Sequence, residues 1–515
     1  MPELVTRSPE LLIEAVDRWA ATTPDRIAIR YGDRTWTWSQ WRARIARAAG
    51  GMRAAGIGPG DRVAFLDKNH PACLEIALAA ASLGAAVTIA NWRLAGPELG
   101  YVLADSGARL LFAGAEFAAA AAAAGTGIER IVVVGGEHDE YERFLDTAEA
   151  AEPDPAVRPE ADALVIYSSG TTGHPKGVVL SQRALVAHTV NAGTGFPFDA
   201  GDVNLVAMPL FHVGGICYAL FGIRAGVPSI MTREPTPAAL LGALAAGATH
   251  TFFVPPVIAA LLDAGEQATA ALGRLKYLGY GAAPMPLPLL RRALDTWPDL
   301  AFVQVYGQTE VSGVVTMLSP EDHRGDESLL LSAGRTVPGA EVRVVDPVDL
   351  TEIGVGGQGE LWFRTDQRMT CYLNRPDATA ATVTADGWVR TGDIGRVDDR
   401  GFVFVEDRLK DMIITGGENV YGPEVERVLL AHPAVADAAI VGVPDDHWGE
   451  SVHAVVVAGE PVEAADVIAH CRSHLAGYKC PKTVEFVAEL PRNASGKILK
   501  RTLREPHWSG RARAI

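Results

Sequence analysis

Cysteine is scarce in this chain, with five among 515 residues. Cys73, Cys217, Cys371, Cys471 and Cys480 are odd in number and scattered, and no two form a Cys-x-x-Cys pair. That pattern excludes a disulfide framework and a thiolate zinc site, and reads as buried thiols in a reducing compartment. Long apolar runs are lacking too. The most apolar stretch, Cys73 to Ala90, is interrupted by Glu75, Ser82 and Gly84. It predicts a buried helix and strand rather than a membrane span. The opening Met-Pro-Glu-Leu-Val-Thr-Arg has no charged-then-apolar layout of a signal peptide, so a cytoplasmic protein is expected. Excess positive charge is also missing. With 62 acidic against 46 basic side chains the net charge is -16. This argues against a nucleic-acid-binding face, yet leaves room for phosphate at a local cationic loop. No Gly-x-Ser-x-Gly nucleophile elbow occurs either, so no serine-hydrolase chemistry is indicated.

What is present is chain enough for about three structural units, with 48% of residues apolar. The first 135 residues alternate helical and strand patterns. Leu11 to Ala20 and Ser39 to Ala55 predict helices, the second with Trp41, Ile45, Ala48 and Met52 at helical spacing. Strands are expected at Arg62 to Leu66, Ala86 to Ala90, Arg109 to Phe112 and Ile131 to Val134, with helices opening at Pro71 and Pro97. The alanine run from Phe117 to Ala124 predicts a surface helix. Short apolar strands between helices imply a parallel sheet covered on both faces.

After a Pro-rich connector, Ala151 to Glu160, a second α/β region is expected, with strands at Leu164 to Tyr167, Thr251 to Val254 and Phe302 to Tyr306. From about Gly339 the pattern turns β-rich, and from about Asp411 a small α+β unit follows. Gly354 to Gly359 fits G-x-G-x-x-G but leads into a strand pattern at Glu360 to Phe363. It therefore reads as a hairpin turn and not as a dinucleotide fingerprint.

The densest chemical signal runs from Tyr167 to Gly177. It places Ser168, Ser169, Gly170, Thr171, Thr172, Gly173 and Lys176 directly after an apolar strand. Glycines admit close backbone approach, hydroxyls donate to phosphate oxygens, and a lysine adds charge. The Pro175-Lys176-Gly177 ending distinguishes it from a Walker A loop.

This loop resembles the phosphate-binding motif of the adenylate-forming superfamily: acyl- and aryl-CoA ligases, luciferases and peptide-synthetase adenylation domains. The resemblance spans nearly the whole chain, because five further motifs follow in order. Tyr280, Gly281, Ala282, Ala283 and Pro284 are similar to the segment beneath the adenine. Tyr306, Gly307, Gln308, Thr309 and Glu310 resemble the motif whose Thr touches the α-phosphate and whose Glu holds magnesium. Thr391-Gly392-Asp393 resembles the motif whose Asp binds the ribose diol. Asp407 to Asp411, with Arg408 and Lys410, resembles the inter-domain hinge. Asn493 to Lys497 resembles the loop with the catalytic lysine. Taken alone, Asp393 would read as a turn former and Lys497 as a solvated surface lysine.

The resemblance implies a large N-terminal domain, 1–408, of two α/β subdomains plus a β-rich one. A small mobile α+β domain, 409–515, would carry Lys497. It implies ATP, Mg2+ and coenzyme A as reactants, with Lys497, Thr309, Glu310 and His212 catalytic, and with Gly416 and Gly417 lining the thiol tunnel in a second domain orientation. His212, Val213, Gly214, Tyr280, Val305 and Ser312 would line the acid pocket, with Gly215 and Gly313 beside them. His212 stands where amino-acid-activating relatives carry Asp, which disfavours an amino-acid substrate. The expected reaction joins a fatty or aromatic acid to coenzyme A through an acyl-adenylate. The alternative is a stand-alone adenylating enzyme that loads a carrier protein or otherwise uses the acyl-adenylate without coenzyme A. Small molecules are the expected partners, with a homodimer left open.

Overall fold

The structure, a computed structural model, describes residues 11–124, 127–168, 174–416, 418–492 and 497–509. Two α/β layers form its bulk. The first sheet has seven strands, in spatial order Cys371–Tyr372, Lys176–Ser181, Asp162–Ser168, Ala86–Ile89, Arg62–Leu66, Leu110–Gly114 and Arg130–Val134. The last five are mutually parallel. Ala86–Ile89 and Leu110–Gly114 are buried throughout, as strands covered on both faces must be. The expected helix at Pro71 runs Pro71–Ser82 and is buried at nearly every position, with Pro71 at its start and His70 as N-cap.

The second sheet has nine strands, with Asn204–Val206, His250–Phe253, Tyr277–Gly281 and Ala301–Tyr306 side by side and parallel. One feature departs from the sequence expectation. The hairpin Ile27–Tyr31/Arg34–Thr37, near the start of the chain, closes an edge of this second sheet by pairing parallel with Ser229–Met231. The two layers are thereby stitched together by a segment some 200 residues from its partner.

The β-rich region is a five-stranded antiparallel sheet, ordered Glu352–Ile353, Ala340–Val345, Gly359–Thr365, Trp388–Val397 and Val403–Arg408. The Gly354 to Gly359 segment is no hairpin turn. Ala340–Val345 lies between the strands it joins, and Gly356 N–H donates to the Val397 carbonyl at 2.8 Å. It opens a strand and no helix, so the dinucleotide reading stays excluded.

From Ile413 the chain builds a small sheet of Ile413–Thr415, Glu418–Val420, Gly449–Ala458, Val435–Asp445 and Thr483–Phe486. Helices Gly422–Leu430 and Ala464–His474 supply Val425, Leu429 and Val467 to its core. The final helix, Lys500–Arg504, returns to the linking segment: Arg504 Nη1 lies 3.2 Å from Asp411 Oδ1 and donates to the Lys410 carbonyl at 3.3 Å. All five cysteines are free thiols. Among the described residues no helix is long and apolar enough to cross a membrane.

Candidate active site

The candidate residues gather where parallel strands of both large sheets end, the usual place for a ligand crevice in α/β folds. Strand Ala301–Tyr306 runs into a tight loop. A Cβ at Gly307 would lie 2.2 Å from the Gly313 carbonyl oxygen, so only glycine fits there. Thr309–Val311 then makes one 3-10 turn. This turn buries Glu310, whose Oε1 accepts from Tyr372 O–H at 2.6 Å. Its backbone carbonyl accepts from Met369 N–H at 2.7 Å.

Tyr372 belongs to the short strand paired with Lys176–Ser181. Hence the Lys176 ammonium lies 4.7 Å from the Tyr372 ring centre. Ser168 and Lys176 are register partners in antiparallel strands, so the glycine- and hydroxyl-rich loop bridges a hairpin. Its residues Ser169, Gly170, Thr171, Thr172 and Gly173 lie outside the described residues, as does Gly417.

Strand Tyr277–Gly281 lies beside Ala301–Tyr306. A Cβ at Gly281 would stand 2.4 Å from the Val305 carbonyl oxygen. The next residue, Ala282, has φ +63°, uncommon for a side-chain-bearing residue. The Gly281 to Pro284 segment thus turns sharply across the strand ends, a strained geometry of the kind that gathers at ligand sites.

Asp393 lies within the long strand Trp388–Val397, not in a turn after it as the sequence suggested. Gly392, at φ +66°, kinks that strand and its N–H donates to Glu360 Oε1 at 2.8 Å. Asp393 is buried; its Oδ2 accepts from Tyr306 O–H at 2.6 Å and its Oδ1 lies 2.5 Å from Arg408 Nε. Gln308 Nε2 donates to the Thr391 carbonyl at 3.3 Å, tying the two motifs together. Burial opposes the charge on Arg408, but Asp393, Tyr306 and Glu310 outweigh it and raise its pKa.

Lys497 reaches this group from the small C-terminal unit. The residue as a whole is exposed, and the charges that act on its ammonium are those of Arg408, Asp393, Lys410 and Asp411. Burial of that group, with repulsion from Arg408, lowers its pKa to about 8, against the pull of Asp393. Lys410 is lowered by burial as well. Residues 493–496 fall outside the described set. Gly416 sits at φ +59°, where a Cβ would lie 2.6 Å from the Trp448 ring.

On the opposite side of the loop lies a cluster of buried apolar side chains, Phe196, Met208, Tyr218, Phe221 and Phe252 among them. His212 caps the helix Val213–Ala225, its Nδ1 accepting from Gly214 N–H at 3.1 Å, and burial lowers its pKa to about 4. A Cβ on Gly214 would sit 3.3 Å from that ring and 3.4 Å from Phe252. On Gly215 it would meet the Pro209 carbonyl oxygen at 2.1 Å. Val305 packs with Phe252, Tyr218 and Met208. Val213 faces Gly313.

Two expected lining residues are elsewhere. Tyr280 points to the far face of its strand, packing on Phe302 and bonding His323 Nε2 at 2.8 Å. Side chains alternate along a strand, and it is Gly279 that faces the apolar cluster, against Phe196 and Phe252. Ser312, at φ +57°, turns its hydroxyl away to the Gln367 carbonyl at 2.7 Å, leaving Gly313 at the wall. Sequence reasoning missed Tyr372, Glu360 and His188. The first two sit in β-rich segments with no local pattern to mark them, and His188 lies in a helix that reads as plain scaffold.

Comparisons with known proteins agree with this geometry. The AMP-binding enzyme model matches residues 16–373, and the model of its C-terminal domain matches residues 424–497. The chain belongs to the AMP-binding enzyme family. It is 37% identical to a fatty acid–acyl-carrier-protein ligase of Streptomyces coeruleorubidus, over 98% of each chain. It is 40% identical to a feruloyl-CoA synthase of Amycolatopsis sp, over 95% of this chain and 97% of the other. The structure of the o-succinylbenzoate coenzyme A synthetase of Bacillus subtilis, in complex with ATP and magnesium ion, superimposes with a TM-score of 0.83 at 30% identity, covering 95% of this chain and 98% of that one.

Proposed function

We infer that this chain is an AMP-forming acid–thiol ligase. It activates a carboxylic acid, fatty or aromatic, as its acyl-adenylate and then transfers the acyl group to coenzyme A. The observation that carries this reading is the buried Asp393 carboxylate, held by Tyr306 and Arg408 at the junction with the small unit, whose Lys497 feels the charges of both Asp393 and Arg408. An ATP-handling site split across two units in this way suits a reaction in two steps.

A carboxylate resists nucleophiles because of its own charge. Attack of its oxygen on the α-phosphorus of ATP converts it to a mixed anhydride and releases pyrophosphate. Lys497 supplies a cation between the carboxylate and the α-phosphate, where charge develops. Thr309 donates its hydroxyl to the same phosphate. Asp393 accepts from the ribose diol, with Tyr306 and Arg408 holding its carboxylate in place. Lys176 and the hydroxyl-rich loop before it hold the outer phosphates, and Gly281 to Pro284 lie against the adenine. Glu310, a single buried carboxylate steadied by Tyr372, fits magnesium, which takes one or two carboxylates and completes its shell with phosphate oxygens and water. When bound, that ion neutralises the phosphates. His212 flanks the carboxylate, with its Nδ1 engaged by the helix start.

The second step uses the thiol. The 409–515 unit pivots at Lys410, withdrawing Lys497 and bringing Gly416 and Gly417 to the site. The thiol sulfur attacks the adenylate carbonyl and AMP leaves. A carrier-protein thiol is the second reading, favoured by the 37% identity to an acyl-carrier-protein ligase over 98% of both chains. The deciding experiment follows acid-dependent AMP release with coenzyme A, with a phosphopantetheinylated carrier protein, and with neither. AMP release stimulated by coenzyme A alone is expected. Stimulation by the carrier alone would overturn the coenzyme A step, and the absence of acid-dependent pyrophosphate would overturn the whole reading.

A further inference from the structure

The apolar cluster beside the site borders a polar group that the reaction chemistry does not use. His188, on the helix Gln182–Asn191, is 1% exposed, and neither of its ring nitrogens has a hydrogen-bond partner among the described residues. Its ring stacks on Phe221, with centres 5.0 Å apart and planes within 15°. Phe221 stacks in turn on Phe196 at 5.5 Å, and Tyr218 meets both rings edge-on. The Tyr218 hydroxyl is likewise buried without a partner. The Nε2 edge of His188 faces Gly313, where a Cβ would be 3.7 Å away, and Val213 borders the same spot at 3.6 Å. Gly313 closes the loop that carries Thr309 and Glu310. This polar edge therefore looks onto the loop that carries Thr309 and Glu310.

Burial keeps the His188 ring neutral, with its pKa lowered to about 3. A neutral imidazole offers one N–H donor and one lone pair. Leaving either unmet in an apolar wall costs the desolvation of that group, about 1–3 kcal/mol. A saturated hydrocarbon chain filling this space would meet neither. An aromatic ring beside Gly313 would lie against the cluster of Phe196, Phe221, Tyr218 and Phe252, and an oxygen on that ring could accept from or donate to the histidine Nε2, according to its tautomer.

We propose that the acid this enzyme activates is a ring-oxygenated aryl acid, whose distal oxygen pairs with His188 beside Gly313, with Tyr218 as the second polar contact. This rests on the acid-activating reading and names its substrate class. His188 is then a specificity-determining residue rather than part of the phosphoryl-transfer machinery.

The test measures acid-dependent pyrophosphate release, which is independent of the thiol used later. Three acids are compared in the full-length enzyme: 4-hydroxycinnamic acid, cinnamic acid and an unbranched C12 fatty acid. The wild type should favour the hydroxylated acid over its deoxy analogue by at least about tenfold in kcat/KM, since a site built to hydrogen-bond an oxygen rejects the analogue without it. His188→Phe should lose that preference, leaving kcat/KM for cinnamic acid and KM for ATP within about threefold. His188→Gln should keep part of it. Equal use of the two aryl acids by the wild type, an unchanged ratio in His188→Phe, or preference for the fatty acid would each overturn the proposal while leaving the ligase reading intact. No pyrophosphate with any carboxylic acid would overturn both. If His188→Phe melts far below the wild type, the wild-type ratio and His188→Gln decide.

Discussion

Tyr306 donates its phenolic proton to Oδ2 of Asp393 across 2.6 Å, joining the end of a strand in one sheet to an inner strand of another. Arg408 takes the other oxygen, at the point where the large unit hands over to the small one. The proposed ribose-binding carboxylate is thus oriented by one residue from each flank. Asp393→Asn keeps the shape but puts an amide N–H₂ against one of these two donors. KM for ATP should rise roughly tenfold to a hundredfold, the range for a lost hydrogen bond to a charged group. Initial rates at saturating acid check this, and an unchanged KM would remove Asp393 from the nucleotide site.

Lys497 sets a pH limit. Lysine is cationic below its pKa, and here burial and Arg408 lower that value to about 8. The proposed role needs the cation, so activity is present below about pH 8 and falls as pH rises through it. In adenylation kcat/KM, which reports the free enzyme, the alkaline limb should lie near 8. Lys497→Arg should move that limb to higher pH. Lys497→Ala should abolish adenylation while sparing thioester formation from preformed acyl-adenylate. Equal loss in both half-reactions would refute the assignment.

Glu310 and Tyr372 form a graded pair. Glu310→Gln should lower the adenylation rate by roughly a hundredfold or more, the scale of a lost electrostatic group, and should raise the magnesium concentration needed. Tyr372→Phe removes only the 2.6 Å hydrogen bond and should shift the magnesium titration in the same direction by less. A titration unchanged in both variants counts against a metal at Glu310.

The paired glycines at the start of helix Val213–Ala225 should differ sharply. A Cβ at Gly214 meets the His212 ring at 3.3 Å and Phe252 at 3.4 Å, whereas one at Gly215 meets a backbone oxygen at 2.1 Å. Gly214→Ala should fold and raise KM for bulky acids, with KM for ATP within about threefold. Gly215→Ala should lower the melting temperature by several degrees, since backbone cannot move aside as a ring can. Similar melting of the two variants would contradict this.

Lys410→Pro addresses the pivot. Proline fixes φ near −65° and constrains Leu409 before it. Arg504 already bonds the Lys410 carbonyl and Asp411 in the present arrangement, with Lys497 at the site. The variant should keep much of the adenylation half-reaction and lose most of the thioester half-reaction. Single-turnover formation of acyl-adenylate, then its discharge by coenzyme A, measures both. Normal discharge would place the pivot elsewhere.

The sequence by itself determined the kind of protein. Runs such as Arg62–Leu66 and Ala86–Ile89 read as strands buried on both faces, because a covered parallel strand needs uninterrupted apolar side chains. The loop after Tyr167 declared phosphate chemistry by local composition, and the order of the later motifs implied the family. All of these signals lie within a few consecutive residues. What only the tertiary structure decided depends on distant partners or on which face of a strand is which. Tyr280 and Gly279 are neighbours in a strand without polar alternation, so nothing local says which one faces Phe196 and Phe252; packing against Phe302 and His323 turned Tyr280 away. Tyr372 became the support of Glu310 only because its two-residue strand pairs with Lys176–Ser181. His188 is one polar residue in a helix until Phe221 and Gly313 fold around it. Sheet order and burial are properties of the assembled chain, and no run of consecutive residues carries them.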